Sequence, residues 1–186
     1  MKGSLLVASP QLHDPLFERA VILMAEYGPE GALGFVINRP TPLTLETVLE
    51  QLDIPHPEPF GDAVCWGGPV QPNAGFLLYR EPLVEPKPPR DETVLEVMPR
   101  VCISSSRFAL EGIVAGWIER PFCLCLGYAG WDAEQLDAEI QRGSWIVLDF
   151  DARLAFEVPA GERWEQAIAS LGLQSEQIWM TGVVDE

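Results

Sequence analysis

The sequence predicts an α+β fold, a single compact domain over residues 1–186 with about four helices. Three observations carry this. Short runs rich in Val, Ile, Leu, Phe and Trp recur along the chain, each bounded by Gly or Pro. Segments of helical period stand between them, several behind a capping residue. The two kinds of segment do not alternate strictly, which argues against a doubly wound parallel sheet. A chain of 186 residues suits one domain with a substantial core.

Ser4–Ser9 reads as the first strand. Ala20–Tyr27 and Ala32–Asn38 are β-rich, and Gly28-Pro29-Glu30-Gly31 between them suits a hairpin turn. Pro40 and Pro42 are expected to end that unit. Thr44 can cap a helix from Leu45 to about Leu52, with Leu45, Val48, Leu49 and Leu52 on one side. Pro55–Pro59 is a proline-rich loop. Ala63–Trp66 is a short strand stopped by Gly67-Gly68-Pro69, and Gly75–Tyr79 is another. Glu81–Arg90, with four prolines, reads as an exposed loop. Thr93–Met98 and Arg100–Ser104 are strand-like. Ser105 or Ser106 then caps a helix through Gly116 that uses Phe108, Leu110, Ile113, Val114 and Trp117.

Leu124–Phe150 carries the densest folding signals. A strand to Leu126 is followed by a tight turn bracketed by Gly127 and Gly130. Asp132 suits a helix N-cap, and Gln135 stands at the capping-box distance. Trp131 and Leu136 have the spacing of a hydrophobic staple. Ala133, Leu136 and Ile140 share a face, and Arg142-Gly143 suits the helix stop. Ile146–Phe150 is then expected to pair with Leu154–Val158 across Asp151-Ala152-Arg153. A last helix, about Glu162 to Leu171, would bury Trp164, Ala167, Ile168 and Leu171.

Several of these segments resemble the AlgH/YqgE-like family of bacterial proteins. LLVASPQLHDPLFERAVILM is similar to its opening block and GALGFVINRP, ending in Asn38-Arg39-Pro40, to its second. WGGPV at Trp66–Val70 is similar to the third. LGYAGW, with the following QL, E-I and GSW, is similar to the strongest. The blocks keep the family's order over most of the chain. The resemblance implies a barrel-like, mostly antiparallel sheet with flanking helices. It also implies the label of transcriptional regulator, and no established activity.

Composition narrows the function classes. The formal net charge is −16, with 12 Lys and Arg against 28 Asp and Glu. Nucleic-acid affinity is dominated by cations meeting phosphates, so direct DNA or RNA binding is disfavoured, as is an anionic membrane surface. No apolar run approaches a membrane span. Met1-Lys2 followed by Leu5-Leu6-Val7-Ala8 offers too short an apolar region for a signal peptide, with Pro10 and His13-Asp14 following at once, so the cytoplasm is the expected compartment. Reduced thiols are expected there for Cys65, Cys102, Cys123 and Cys125.

Candidate chemistry is sparse. Cys123 and Cys125, two apart on a strand, face the same way. Without paired Cys-x-x-Cys units the sequence indicates no metal site, and nothing indicates a cofactor. Gly67-Gly68-Pro69 and Gly127-Tyr128-Ala129-Gly130 could present backbone N–H groups to an anion. They serve equally as tight turns plugged by Trp66, Tyr128 and Trp131. Arg39 suits a bidentate grip on a carboxylate or phosphate, or an internal salt bridge, with Glu139 one partner. Glu134, Asp137 and Glu139 read as a solvated helix face. His13 and His56 read as surface loop residues. The expected function is therefore non-enzymatic binding or regulation, through a small ligand or a partner protein. The expected cleft is lined by Asn38, Arg39, Gly67, Gly68, Gly127, Tyr128, Gly130 and Trp131. The alternatives are an enzyme using Arg39, His13 and Cys125 in the same cleft, and a direct DNA-binding regulator.

Overall fold

The structure, a computed structural model, describes residues 1–83 and 90–172. The middle of the expected proline-rich loop, 84–89, therefore lies outside the described residues. The first strand β1 (Leu5–Ala8) is buried along its whole length, as is β2 (Val21–Gly28) over its first five residues. The unbroken apolar runs LLVA and VILMA match burial on both faces of a sheet. A two-residue turn leads from β2 into β3 (Gly31–Val36) in antiparallel register, as the Gly28–Gly31 turn signal predicts.

Pro40 does not end this unit. It opens a short strand, β4 (Pro40–Thr44), paired with β5 (Ala63–Trp66). Proline cannot donate to a ladder, which restricts it to strand starts and edges, and Pro40 and Pro42 occupy such places. Thr44 caps α1 (Leu45–Gln51) through its side chain and the Thr47 N–H. The strand expected over 75–79 is longer, β6 (Val70–Arg80), because Val70 at its start also pairs with Tyr128. β7 (Leu95–Met98) and β8 (Val101–Ser104) form a hairpin. Ser106 caps α2 (Arg107–Ala115), and Gly116 ends it in the left-handed conformation. Trp117, expected among the packed residues of that helix, lies past its end and is 43% exposed.

The largest correction concerns 127–132. The chain does not turn there. β9 runs unbroken from Phe122 to Asp132, and α3 (Gln135–Gln141) follows, with Glu134 rather than Asp132 at its N-cap. Half of the expected capping box survives, since the Asp132 N–H donates to Gln135 Oε1 at 3.0 Å. Leu136 is buried and Ala133 is exposed. Gly143 takes the left-handed conformation beyond α3. β10 (Trp145–Leu148) pairs with β1 and not with 154–158. Residues Arg153–Glu157 form a π-helical turn whose Leu154, Ala155 and Phe156 are buried. Three consecutive buried residues suit a helical turn under the sheet better than a strand with one solvated face. A turn of 3-10 helix, Ala160–Glu162, leads into α4 (Arg163–Ser170), which buries Trp164, Ala167 and Ile168. Leu171 is only half-buried.

The ten strands form one sheet, ordered β10-β1-β2-β3-β9-β6-β8-β7, with β5 joined to β9 and β4 to β5. All pairings are antiparallel except β5 with β9. The path is open, from β10 to β7, so the sheet does not close into the expected barrel. Two cores result. The larger joins β1–β3 and one face of β9 to α3, α4 and the π-helical turn. The smaller lies between α1, α2 and the opposite face of β6 and β9. Period-2 alternation divides β9 accordingly: Cys123 and Cys125 enter the first core and Leu124 the second.

At Gly127 (φ +74°) β9 changes partner. Before it, Cys125 and Leu126 lie beside Cys65 and Trp66 of β5; after it, Ala129 lies beside Gly34 of β3. Gly67-Gly68 crosses at this point. A Cβ on Gly68 would lie 2.0 Å from the Tyr128 carbonyl carbon, and one on Gly67 would lie 2.3 Å from the Gly127 oxygen. We expect Gly68→Ala to destabilise the fold by about 3 kcal/mol or more in denaturant unfolding, because backbone cannot yield as a side chain can. Gly143→Ala, at φ +78° in open space, should cost only about 1 kcal/mol. Equal losses at the two positions would contradict the crossing as the reason for the glycine.

Candidate functional site

The residues expected to form the site converge, but on packing rather than on an opening. Asn38 links two strand ends: its Oδ1 accepts from the Val21 N–H and its Nδ2 donates to the Arg19 carbonyl, both at 2.8 Å. Arg39 donates to the carbonyls of Leu16 and Glu18 and stacks 5.1 Å from the centre of the Trp66 ring. Burial lowers the basicity of its guanidinium, an effect opposed by Asp14 and Glu18. The expected Arg39–Glu139 bridge is not made. Glu139 Oε2 accepts from the indole N–H groups of Trp131 (3.0 Å) and Trp145 (2.8 Å), so it does not lie on a solvated face. Trp66, Trp131 and Trp145 each lie 5.8–6.5 Å, ring centre to ring centre, from Phe17. Phe17 belongs to the 11–19 loop that Asn38 and Arg39 hold. Gly67, Gly68 and Gly127 beside this cluster are closed by neighbouring backbone, whereas Gly130 is exposed and a Cβ there would meet the Tyr128 ring and Val70 only at ordinary contact distances of 3.7 and 3.9 Å.

The residues of the enzymatic alternative lie in different surroundings. Cys125 is fully buried, with its thiol 3.6 Å from that of Cys123 and 3.7 Å from the Val36 carbonyl. Hydrogen bonding between neighbouring thiols, together with burial, raises the pKa of Cys65 and of Cys123. Burial, with Glu81 adding to it, pushes Cys102 up to about 11. Such thiols are poor nucleophiles at neutral pH, since the thiolate is the reactive form. His13 is exposed on the 11–19 loop. His56 is not a free surface residue: its side chain is 14% exposed and its Nδ1 meets the Ile54 carbonyl at 3.0 Å.

An open cleft lies elsewhere, between α1 and α2, where no sequence motif points. A cleft of about 510 Å³ is floored by Leu77, Leu124 and Leu126 of β6 and β9. Val48 and Leu52 form one wall and Leu110 the other, with Gln51, Asn73 and Ser105 at the mouth. Arg107 fixes its width. Its guanidinium donates to the carbonyls of Leu52 and Asp53, where α1 ends, and to Glu111 Oε1 on α2. Gly75 leaves room at the floor, since a Cβ there would meet only Leu124 Cδ1, at 3.8 Å. No carboxylate lines the cleft among the described residues. The one legible signal was the alternation of Leu124 and Leu126 with the cysteines, which set an apolar β9 face beneath two amphipathic helices.

This architecture defines a class: an open antiparallel α+β sheet, with a tryptophan cluster on one side and a two-helix apolar cleft on the other. The chain belongs to the AlgH-like family, whose model matches residues 5–176. It is 35% identical to a UPF0301 protein of Idiomarina loihiensis, covering 98% of this chain and 95% of that one. It is 40% identical to a UPF0301 protein of Anaeromyxobacter sp. strain K, covering 90% and 86%. The solution structure of the AlgH protein from Pseudomonas aeruginosa matches with a TM-score of 0.75 at 34% identity, over all of this chain and 95% of that one. A crystal structure of the Corynebacterium diphtheriae protein DIP2367 shares the fold, with a TM-score of 0.75 at 19% identity over 95% and 90% of the two chains.

Two substitutions test the tryptophan cluster. Trp131→Ala should lower unfolding free energy by about 3–5 kcal/mol, the usual range for truncating a buried Trp. Arg39→Lys should lower it by about 1.5–3 kcal/mol, because an ammonium cannot replace the paired contacts to two carbonyls. It should also admit protease cleavage within residues 11–19. An unchanged midpoint and digestion pattern in Arg39→Lys would mean that the guanidinium does not hold this loop.

Proposed function

We propose that the protein is a non-enzymatic binding protein that takes a small, uncharged amphiphile between α1 and α2. The cleft carries this reading. Its volume of about 510 Å³ lies within the ~300–1,000 Å³ usual for small-molecule sites. Its floor is leucine, and its mouth offers neutral amide and hydroxyl groups. The ligand's chain would lie over Leu77, Leu124 and Leu126, and a hydroxyl or amide head would meet Gln51, Asn73 or Ser105. A cationic head has no carboxylate to meet there. The Arg107 guanidinium also lines the cleft, but it already donates to two carbonyls and is paired with Glu111, so an anionic head would compete with these partners. A regulatory role in the cytoplasm, with ligand occupancy read by a partner protein, is the fuller form of this proposal. The net charge of −16 favours this form over direct contact with DNA.

Displacement of a neutral fluorescent naphthylamine probe by decanol, decanoate and decylammonium tests the reading. Decanol should displace the probe most strongly. Gly75→Leu fills the floor of the cleft without demanding a strained backbone, and should weaken displacement about tenfold or more, as expected when bound apolar surface is lost. Equal displacement in Gly75→Leu and wild type, with both folded by circular dichroism, would remove the cleft as the site.

A further inference from the structure

Glu46 and Glu50 stand four residues apart on α1, and so share a face. Leu45 and Leu49, each one residue before a glutamate, anchor the adjoining face of the helix in the smaller core. Past α1, Asp53 takes a positive φ of 53° and the chain doubles back. The Ile54 N–H donates to the Leu49 carbonyl at 2.9 Å, and the Glu46 N–H donates to the Phe60 carbonyl at 2.9 Å. The returning segment is thereby held against the helix. His56 then lies beside the two glutamates, its ring edge-on to Phe60 at 6.1 Å. One ligand atom from each of Glu46, Glu50 and His56 lies within 4.8 Å of the other two.

The imidazole is oriented from outside this group. Its Nδ1 faces the Ile54 carbonyl at 3.0 Å. A carbonyl can only accept, so Nδ1 carries a proton. Nε2 faces Glu46 Oε1 at 3.7 Å, beyond hydrogen-bonding range. In the neutral ring that nitrogen is a lone pair directed at a carboxylate, so acceptor faces acceptor. A positive species between them relieves this. A proton on Nε2 would serve Glu46 alone, and among the described residues no hydrogen bond or ion pair engages the Glu50 carboxylate. A divalent cation would engage all three groups. A backbone carbonyl on one ring nitrogen, with the other nitrogen free, is the usual second-shell arrangement of a metal-ligating histidine.

We propose that Glu46, Glu50 and His56 form a binding site for a divalent cation of the zinc type. One imidazole and two carboxylates are a ligand set that zinc accepts, and three protein ligands leave a position for water. Zinc bonds of about 2.0–2.2 Å require the three side chains to draw inward, and rotation of the two glutamates can supply this. The net charge of −16 raises the cation concentration around the chain. Occupancy would pin the 53–60 segment to α1, which forms one wall of the cleft. The site stands on its own residues and does not depend on the amphiphile reading.

The test is calorimetric titration of zinc into the full chain, after chelator treatment and buffer exchange. Wild type should bind one equivalent with micromolar affinity or better. Glu50→Gln should weaken binding by about tenfold or more, as loss of a ligand does at least as severely as loss of a second-shell partner. Glu50 is exposed, so its melting temperature without metal should match wild type. Cobalt substitution should give a spectrum without a thiolate charge-transfer band, which distinguishes this site from the buried cysteines. The proposal is overturned by absence of zinc binding at submillimolar concentrations. It is equally overturned by unchanged affinity in Glu50→Gln, the outcome expected of a simple His56–Glu46 ion pair, or by a thiolate band.

Discussion

The close crossing of Gly67-Gly68 over Gly127–Ala129 is the constraint on which the rest of the structure depends. Three strand ends meet there. β9 leaves β5 and takes up β3, and the Val36 N–H donates to the Gly67 carbonyl at 2.9 Å as the exchange is made. A side chain at Gly68 would coincide with the neighbouring backbone. Because the crossing is tight, β9 can continue to Asp132 without a break and carry Trp131 to the tryptophan cluster. Because β9 is continuous, its two faces serve two cores, and the leucine face is left as the floor of the cleft.

Around that crossing, polar side chains act as ties. Glu139 receives two indole N–H groups, and Arg39 and Asn38 hold the carbonyls of the 16–19 segment. On α4, Arg163 binds the carbonyls of Ile37 and Val158, and the Trp164 indole donates to Ala8. The Arg163 and Trp164 ties, and the two indoles on Glu139, satisfy groups that burial would otherwise leave unpaired, a loss that is expensive in a protein interior. The sequence blocks resembling the family thus converge at one place, and the contacts they make there are internal.

Much of the fold was legible in the sequence, for local reasons. Thr44 and Ser106 were readable as caps because capping is decided by the residue and its next three neighbours. The turn at Pro29-Glu30 and the helix stops at Gly116 and Gly143 depend on equally local backbone preferences. The errors arose where tertiary contacts overrode local signals. Gly127 and Gly130 look like a turn in isolation, yet both lie within a continuous strand, and Gly127 is packed against the Gly68 backbone. Residues 154–158 look like a hairpin partner, yet β1 supplies β10 with its pairing. Glu139 looked solvated because the two indoles it binds are eight residues before it, on β9, and six residues after it, on β10. The cleft was hard to see because its lining is drawn mainly from α1, α2, β6 and β9, which are far apart in sequence. His56 joins Glu46 and Glu50 only after the Asp53 reversal, which the proline-rich composition did not disclose.

The packed side, where the family's blocks meet, lies apart from the cleft between α1 and α2 that is proposed to take the ligand. The most direct measurement is a nuclear magnetic resonance titration with decanol, following leucine and valine methyls together with tryptophan indole N–H signals. The account predicts that the methyls of Leu77, Leu124, Leu126 and Val48 shift in a saturable manner while the indole signals of Trp66, Trp131 and Trp145 stay in place. Saturable shifts of those indole signals, with the cleft methyls unmoved, would contradict it.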